Sequence, residues 1–165
     1  MIALSLRQPW CAACVYSNGN ALGPKGIENR VWSPQSKGRR PPFDVLLHAA
    51  QGMTKVEHRE AIAWMLRSGL RPPSKEQLEL GGLVGVTTVA DVIAPIESEY
   101  DQKQGIKIAN RNGVDIRWHM TGQYGFVLKG TRRKPFLAWK GNTGFFEIPD
   151  EVAERFLAEP TMEDP

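Results

Sequence analysis

The run Leu83-Val84-Gly85-Val86-Thr87-Thr88-Val89-Ala90-Asp91-Val92-Ile93 restricts the possible folds more than any other stretch. Seven of its eleven residues are Val, Ile or Thr, whose branched side chains crowd a helix and suit a pleated strand. It is longer than an ordinary strand of about 5–6 residues. A strand of that length has to curl with its sheet, and Gly85 can take the bend.

Shorter apolar runs surround it. Ile2–Leu6 reads as a first strand, Ile27–Trp32 as another and Phe43–Ala49 as a buried one, with Tyr124–Lys129, Pro135–Trp139 and Gly144–Ile148 supplying three more. Ile106 and Ile108 alternate, Asn112-Gly113 turns, and Val114, Ile116 and Trp118 alternate back, so residues 103–118 read as a hairpin arm. Helices are fewer. Pro9 opens one whose buried stripe is Trp10, Cys11, Cys14 and Val15, and Asn18-Gly19 stops it. Thr54-Lys55-Val56-Glu57 is a capping box ahead of a second, and 150–158 closes the domain. Together these elements predict an α+β, mainly β, fold: a small β-barrel with flanking helices, in one domain over 1–160, with 161–165 a frayed acidic tail.

Charge is unevenly spread. From Glu147 onward seven acids face one base, so the preceding 146 residues hold 20 bases and 11 acids, a balance of +9. A basic body with an acidic tail fits a polyanionic partner. No stretch reaches the length of a membrane span, and Arg7, Gln8 and Pro9 interrupt any secretory signal, so the expectation is a cytoplasmic monomer. Cys11 and Cys14 have no second ligand pair at zinc-binding spacing and read as small hydrophobes on a helix. Neither metal nor cofactor is expected.

The most chemically loaded segment is Gly23-Pro24-Lys25-Gly26-Ile27-Glu28-Asn29-Arg30-Val31-Trp32. On a strand, Glu28, Arg30 and Trp32 share one face. An acid, a base and an indole side by side suit a cleft that grips an anionic, base-bearing ligand and faces solvent. They equally suit a surface turn braced by a Glu28–Arg30 pair.

Three segments in order resemble an ASCH domain, a member of the PUA-like β-barrel superfamily: Ser5-Leu6-Arg7-Gln8-Pro9-Trp10, Gly23-x-Lys25-x-x-Glu28-x-Arg30, and Trp118 with Tyr124-Gly125-Phe126. The Phe43–Ala49 and 82–92 strands sit where that family places them. The resemblance implies a cleft around Lys25, Glu28 and Arg30 that binds RNA, single-stranded DNA or a modified nucleoside. Lys25 and Arg30 would neutralise phosphate, Glu28 would accept from a base amino group, and Trp10 or Trp32 would stack on a base. Arg7, Arg132 and Arg133 complete the expected nucleic-acid-binding set.

One branch of the family deacetylates N4-acetylcytidine with a threonine nucleophile three residues after the lysine. This chain has Glu28 at that position, and the branch's separate glutamate would be Glu97 or Glu99. The alternative function is therefore an amidohydrolase on an acylated pyrimidine nucleoside, or a ribonuclease, with Lys25 and Glu28 as the catalytic candidates. His48 and His119 read as hydrogen-bonded barrel histidines, and Trp118 and Trp139 as core. Trp64 falls off its helix's apolar stripe.

Overall fold

A computed structural model describes residues 1–164. Its strands are β1 (Ile2–Leu6), β2 (Ile27–Arg30), β3 (Phe43–Ala49), β4 (Gly82–Ile93), β5 (Tyr124–Ala138) and β6 (Phe145–Glu147). They form one six-stranded sheet in the order β2-β5-β4-β3-β1-β6. The helices are α1 (Trp10–Val15), α2 (Lys55–Arg67), α3 (Glu99–Asn112) and α4 (Asp150–Ala158). Every pairing is antiparallel except β1 with β3, whose partners run Ala3–Leu46 to Leu6–Ala49 in parallel.

The sheet is curled into a half-barrel, and the long β4–β5 ribbon is what bends it. Its register shifts between Leu83 and Gly85, between Val86 and Thr88, and between Val89 and Asp91. Each shift adds local twist, as β-bulges do. Gly85 sits at one of them because nothing larger fits: an added Cβ would lie 2.7 Å from the Arg132 carbonyl oxygen and 3.2 Å from Val15. The curl brings Trp32, just past β2, edge-on to Phe145 of β6, with ring centroids 5.2 Å apart.

The concave side is filled by α1. Cys11, Cys14 and Val15 pack there with Leu4, Leu6, Val45, Leu47, Val84 and Phe126. The other face is covered by α4, where Phe156 and Ala153 meet Ala3, Leu46, Leu83 and Val86. β3 is thus buried on both faces from Val45 to Ala49, which explains the consecutive apolar residues Val45, Leu46 and Leu47. Lys134 is buried as well and donates to the carbonyls of Leu157 (2.9 Å) and Glu159. It satisfies the open C-terminal end of α4, where a cation is also favoured by the helix dipole. A third cluster joins Ile27, Met65, Ile93, Ala109, Val127 and Trp118 under α3. The capping box of α2 is in place, the Glu57 amide donating to Thr54 Oγ1 at 3.0 Å and the Thr54 amide to Glu57 Oε2 at 3.1 Å. No helix among the described residues is long and apolar enough to cross a membrane.

The structure corrects the sequence reading in three places. Residues 103–118 form no hairpin: the helix α3 runs through Asn112, followed by a 3₁₀ turn at Ile116–Trp118. Ser98 caps the start, accepting from the Asp101 amide at 3.1 Å. At the other end, Asn112-Gly113 is a helix stop rather than a strand turn. Gly113 is left-handed (φ 67°), and the Val114 and Gly113 amides donate back to Ala109 and Asn110 at 3.0 and 3.1 Å, the Schellman pattern. The two runs 124–129 and 135–139 are one strand, β5, whose bulge at Gly130-Thr131 looked like a break. Pro135 is tolerated because β2 pairs only with Tyr124–Val127, leaving that edge open further along. The tail does not stand free through Asp164. The Met162 amide donates to the Arg133 carbonyl at 2.8 Å, and the Ser17 amide to Asp164 Oδ2 at 3.0 Å. Residue 165 lies outside the described residues.

Candidate functional site

The segment that drew attention in the sequence forms a chain of charge running inward from the barrel mouth. Ile27 enters the core, so Glu28 and Arg30 take their places by strand alternation, and the turn before them folds back on α1 through the Lys25 amide, which donates to the Ala13 carbonyl at 2.7 Å. Glu28 pairs with the Lys25 ammonium through Oε2 and faces Arg30 Nε from Oε1 at 3.2 Å. Lys25 is only 2% exposed and Glu28 6%. The expectation that both face solvent is corrected here. The lysine stem and ammonium lie beneath Trp10, 5.7 Å from the ring, and Trp64 closes over Trp10 edge-on at 5.6 Å. A buried lysine bonded to a buried glutamate is an internal brace.

Arg30 is where this chain reaches the surface. Its side chain is 18% exposed. One terminal nitrogen donates across the mouth to the Ser5 carbonyl at 2.7 Å, and buried Nε meets Glu28 Oε1 as an ion pair at 3.2 Å without hydrogen-bond alignment. Arg30 lines the principal cleft, about 890 Å³, together with Ser5, Arg7, His48, Trp139 and Lys140. The floor is the carboxyl ends of β1 and β3. The wall is the loop 139–144 between β5 and β6. Arg7 is exposed there and pairs with Glu57 of α2.

A second recess of about 410 Å³ adjoins the cleft, sharing Thr143 and Gly144 with it, and is bordered by Trp32, Lys37 and Arg39. Trp32 is half-buried. Its edge contacts Phe126 and Phe145, while Lys37 Nζ lies 5.6 Å and the Arg30 guanidinium 5.9 Å from the ring centre. Glu147 also lines the recess, 3.8 Å from Arg39, and with that pair set aside the two openings form an aromatic-edged surface on which Arg30, Lys37 and Lys140 leave a basic balance.

Other expected residues lie elsewhere. Arg132 is exposed on β5 and does not line the cleft. Arg133 lies over the Tyr16 ring at 4.6 Å and donates to the Glu163 carbonyl at 2.6 Å, so the chain's own tail occupies it. Trp10 lines a different groove, against α2. Trp118 is core, as expected, while Trp139, also expected in the core, is half-buried and lines the cleft, because it sits past the end of β5 on the 139–144 loop. Gln8, next to Pro9 in the first motif, is buried for structural reasons: its side chain donates to the Glu79 carbonyl at 2.7 Å and accepts from the Ala12 amide at 2.9 Å.

The two cysteines are free and buried on α1. Burial pushes the Cys14 thiol up to about 12, and the Cys11 thiol is raised by burial and by its neighbour Cys14, so neither is a ready thiolate. Among the described residues no three His, Cys, Asp or Glu side chains gather as a metal site would require.

Sequence reasoning missed the group at the cleft floor. Ser5 and His48 are direct register partners on the parallel strands β1 and β3. Ser5 Oγ lies 3.0 Å from His48 Nδ1, and His48 Nε2 lies 2.8 Å from the Trp139 carbonyl oxygen. A carbonyl can only accept, so Nε2 carries the proton and Nδ1 accepts from the serine hydroxyl. Gly141 makes room for the ring, since an added Cβ would sit 2.2 Å from its Cε1. His48 was legible as a hydrogen-bonded barrel histidine; its partner depends on a parallel pairing that nothing local announces. His119 is bonded to the Gln123 carbonyl at 2.9 Å, and burial holds its pKa below the ordinary value.

No protein-family model matches this chain, and no curated protein matches it either.

Proposed function

We propose that the cleft between β1, β3 and the 139–144 loop holds single-stranded RNA or DNA, or one extruded base with its phosphate. This is the reading that the resemblance to ASCH domains also favours. The observation that carries it is Arg30. Its guanidinium is held from below by Glu28, which is itself neutralised by buried Lys25, and its outer edge is presented to an open cleft shared with Arg7 and Lys140. A positioned guanidinium suits a phosphate, offering paired donors in a fixed plane. Trp32, with Lys37 and Arg39 beside it, supplies an aromatic edge within reach of the same strand. The basic stripe Lys103, Lys107 and Arg111 on α3 lies away from the cleft and is partly neutralised, Lys103 by Glu99 and Arg111 by Asp91, so an unpaired strand in the cleft fits better than a duplex groove on a helix.

In this reading Lys25 and Glu28 touch no ligand. They set the height and orientation of Arg30, and the amidohydrolase or ribonuclease alternative has both its candidates, Lys25 as base and Glu28 as its partner, in the interior.

Fluorescence anisotropy with a labelled single-stranded oligonucleotide across a salt series tests the reading. Three to five phosphate contacts by Arg7, Arg30, Lys140, Lys37 and Arg39 give a log–log salt slope of about −2 to −3.5 for a single strand. Lys140→Glu, exposed on the loop, lowers affinity and flattens the slope. Binding that ignores salt, or that Lys140→Glu leaves unchanged, overturns it.

A further inference from the structure

We infer that Ser5 is a nucleophile, with His48 as its general base, and that the cleft cleaves small carboxylic esters whose alcohol half bears a phosphate. The phosphate preference rests on the cleft reading above; the chemistry assigned to Ser5 does not.

The geometry is that of an activated hydroxyl. A nucleophile must reach its base within hydrogen-bond distance, and the base must be oriented by a third group. Ser5 Oγ meets His48 Nδ1 at 3.0 Å, and the Trp139 carbonyl holds Nε2 at 2.8 Å. The second contact fixes the tautomer in which Nδ1 is free to take a proton. The ring has little freedom to leave: His48 is 1% exposed, Phe146 packs edge-on at 5.4 Å, and Gly141 lies against it. Ser5 is half-buried and lines the cleft, so its hydroxyl is the part of the pair a ligand meets. The positive charge needed beside a developing oxyanion is Arg30, bonded to the carbonyl of Ser5 itself at 2.7 Å.

The reaction balances with water as the only co-reactant. Ser5 Oγ attacks the ester carbonyl carbon, and its proton passes to His48 Nδ1. The tetrahedral oxyanion forms beside Arg30. It collapses with cleavage of the bond to the alcohol oxygen, which takes the proton back from Nδ1 and leaves. Water then attacks the acyl-serine, again giving its proton to Nδ1. Expulsion of Ser5 Oγ, which recovers that proton, releases the carboxylic acid. The orienting group is a neutral carbonyl rather than a carboxylate, so the imidazolium gains less support than in an acid-backed triad. That favours esters over less reactive amides. With Arg30 at the oxyanion, Arg7 and Lys140 around the same space supply the sites for the phosphate of the alcohol half.

The native full chain is treated with a neutral alkyl fluorophosphonate and followed by intact mass and peptide mapping. One adduct on Ser5 is expected, absent in Ser5→Ala and formed on the order of 100-fold more slowly in His48→Gln, with both variants checked for a native circular dichroism spectrum. Hydrolysis of 3′-O-acetyl-AMP is then compared with that of 3′-O-acetyladenosine, and about a tenfold advantage for the phosphorylated ester is expected. An unlabelled Ser5 in the native protein overturns the inference without reference to any variant, as does labelling at an equal rate in folded His48→Gln. Labelled Ser5 with equal turnover of the two esters upholds the nucleophile and overturns the phosphate preference, and with it the anionic reading of the cleft.

Discussion

Arg30 donates to the carbonyl oxygen of Ser5 at 2.7 Å, although three strands separate β2 from β1 in the hydrogen-bonded order of the sheet. The contact spans the open side of the half-barrel, so one side chain does what further strand pairing would do in a closed barrel. It also ties the floor of the cleft to the charge chain behind it.

Replacing Arg30 should therefore lower stability and loosen the cleft together. Arg30→Ala removes the contact to Ser5 and one cation facing Glu28; a loss of about 2–4 kcal/mol is expected, within the range for breaking a buried charged network. Arg30→Lys keeps the charge but lacks the planar fork and should recover only part of it. Urea denaturation of the three proteins, with unchanged m-values, checks the ranking.

Lys25 and Glu28 should behave as a unit. Glu28→Gln strands the Lys25 ammonium, and Lys25→Met leaves Glu28 with Arg30 alone, in a site where the Lys25 and Glu28 side chains are at most 8% exposed. Glu28→Gln should cost about 3–5 kcal/mol, because an unpaired buried charge remains, and Lys25→Met less, because Arg30 still faces the carboxylate. The double variant Lys25→Met/Glu28→Gln removes both charges and should be more stable than the sum of the two single losses predicts. A double-mutant cycle from denaturation midpoints measures the coupling. Additive losses would mean that the two side chains act independently and do not form the brace described above.

How much of this was legible in the sequence follows the range of the interactions. Strands β1 to β4 and the α2 capping box are set by neighbouring residues and could be read directly. The segment 103–118 misled because Ile106 and Ile108 fit a period of two, while the helix is specified by Ser98 at one end and Gly113 at the other. The shared face of Glu28 and Arg30 followed from strand alternation, whereas Lys25 joins them through the turn that folds back on α1. The burial of Lys25 could not be read, because it depends on Trp10 of α1 lying over the ammonium and Trp64 of α2 packing against Trp10. Ser5 and His48 lie 43 positions apart, and only the parallel register of β1 and β3 joins them.

Gly85 offers a test of what bends the sheet. In Gly85→Ala the new methyl meets the Arg132 carbonyl at 2.7 Å and Val15 of α1 at 3.2 Å. Backbone on one side and a buried helix on the other leave no easy relaxation. The substitution should destabilise by about 1–3 kcal/mol, as overpacking does. A thermal melt reads the loss. Gly52→Ala, where an added Cβ meets nothing within 4 Å, should stay close to the native protein.

His119 predicts how stability responds to acid. Burial holds its pKa below the ordinary 6.5, partly opposed by its bond to the Gln123 carbonyl. In the unfolded chain the imidazole takes up a proton near 6.5, while in the folded protein it does so only at lower pH. Between those two values the unfolded state binds more protons, so stability rises with pH there and falls as acid is added. The contribution is fully present above 6.5 and gone below the folded value. Ring size also matters, because the Gly125 backbone lies under the imidazole, where an added Cβ would be 2.5 Å from Cδ2. His119→Gln retains a donor of similar reach without a titrating group. Urea midpoints at pH 7.5 and pH 5 should therefore differ more in the native protein than in His119→Gln. An equal difference in the two would place the acid sensitivity on other groups.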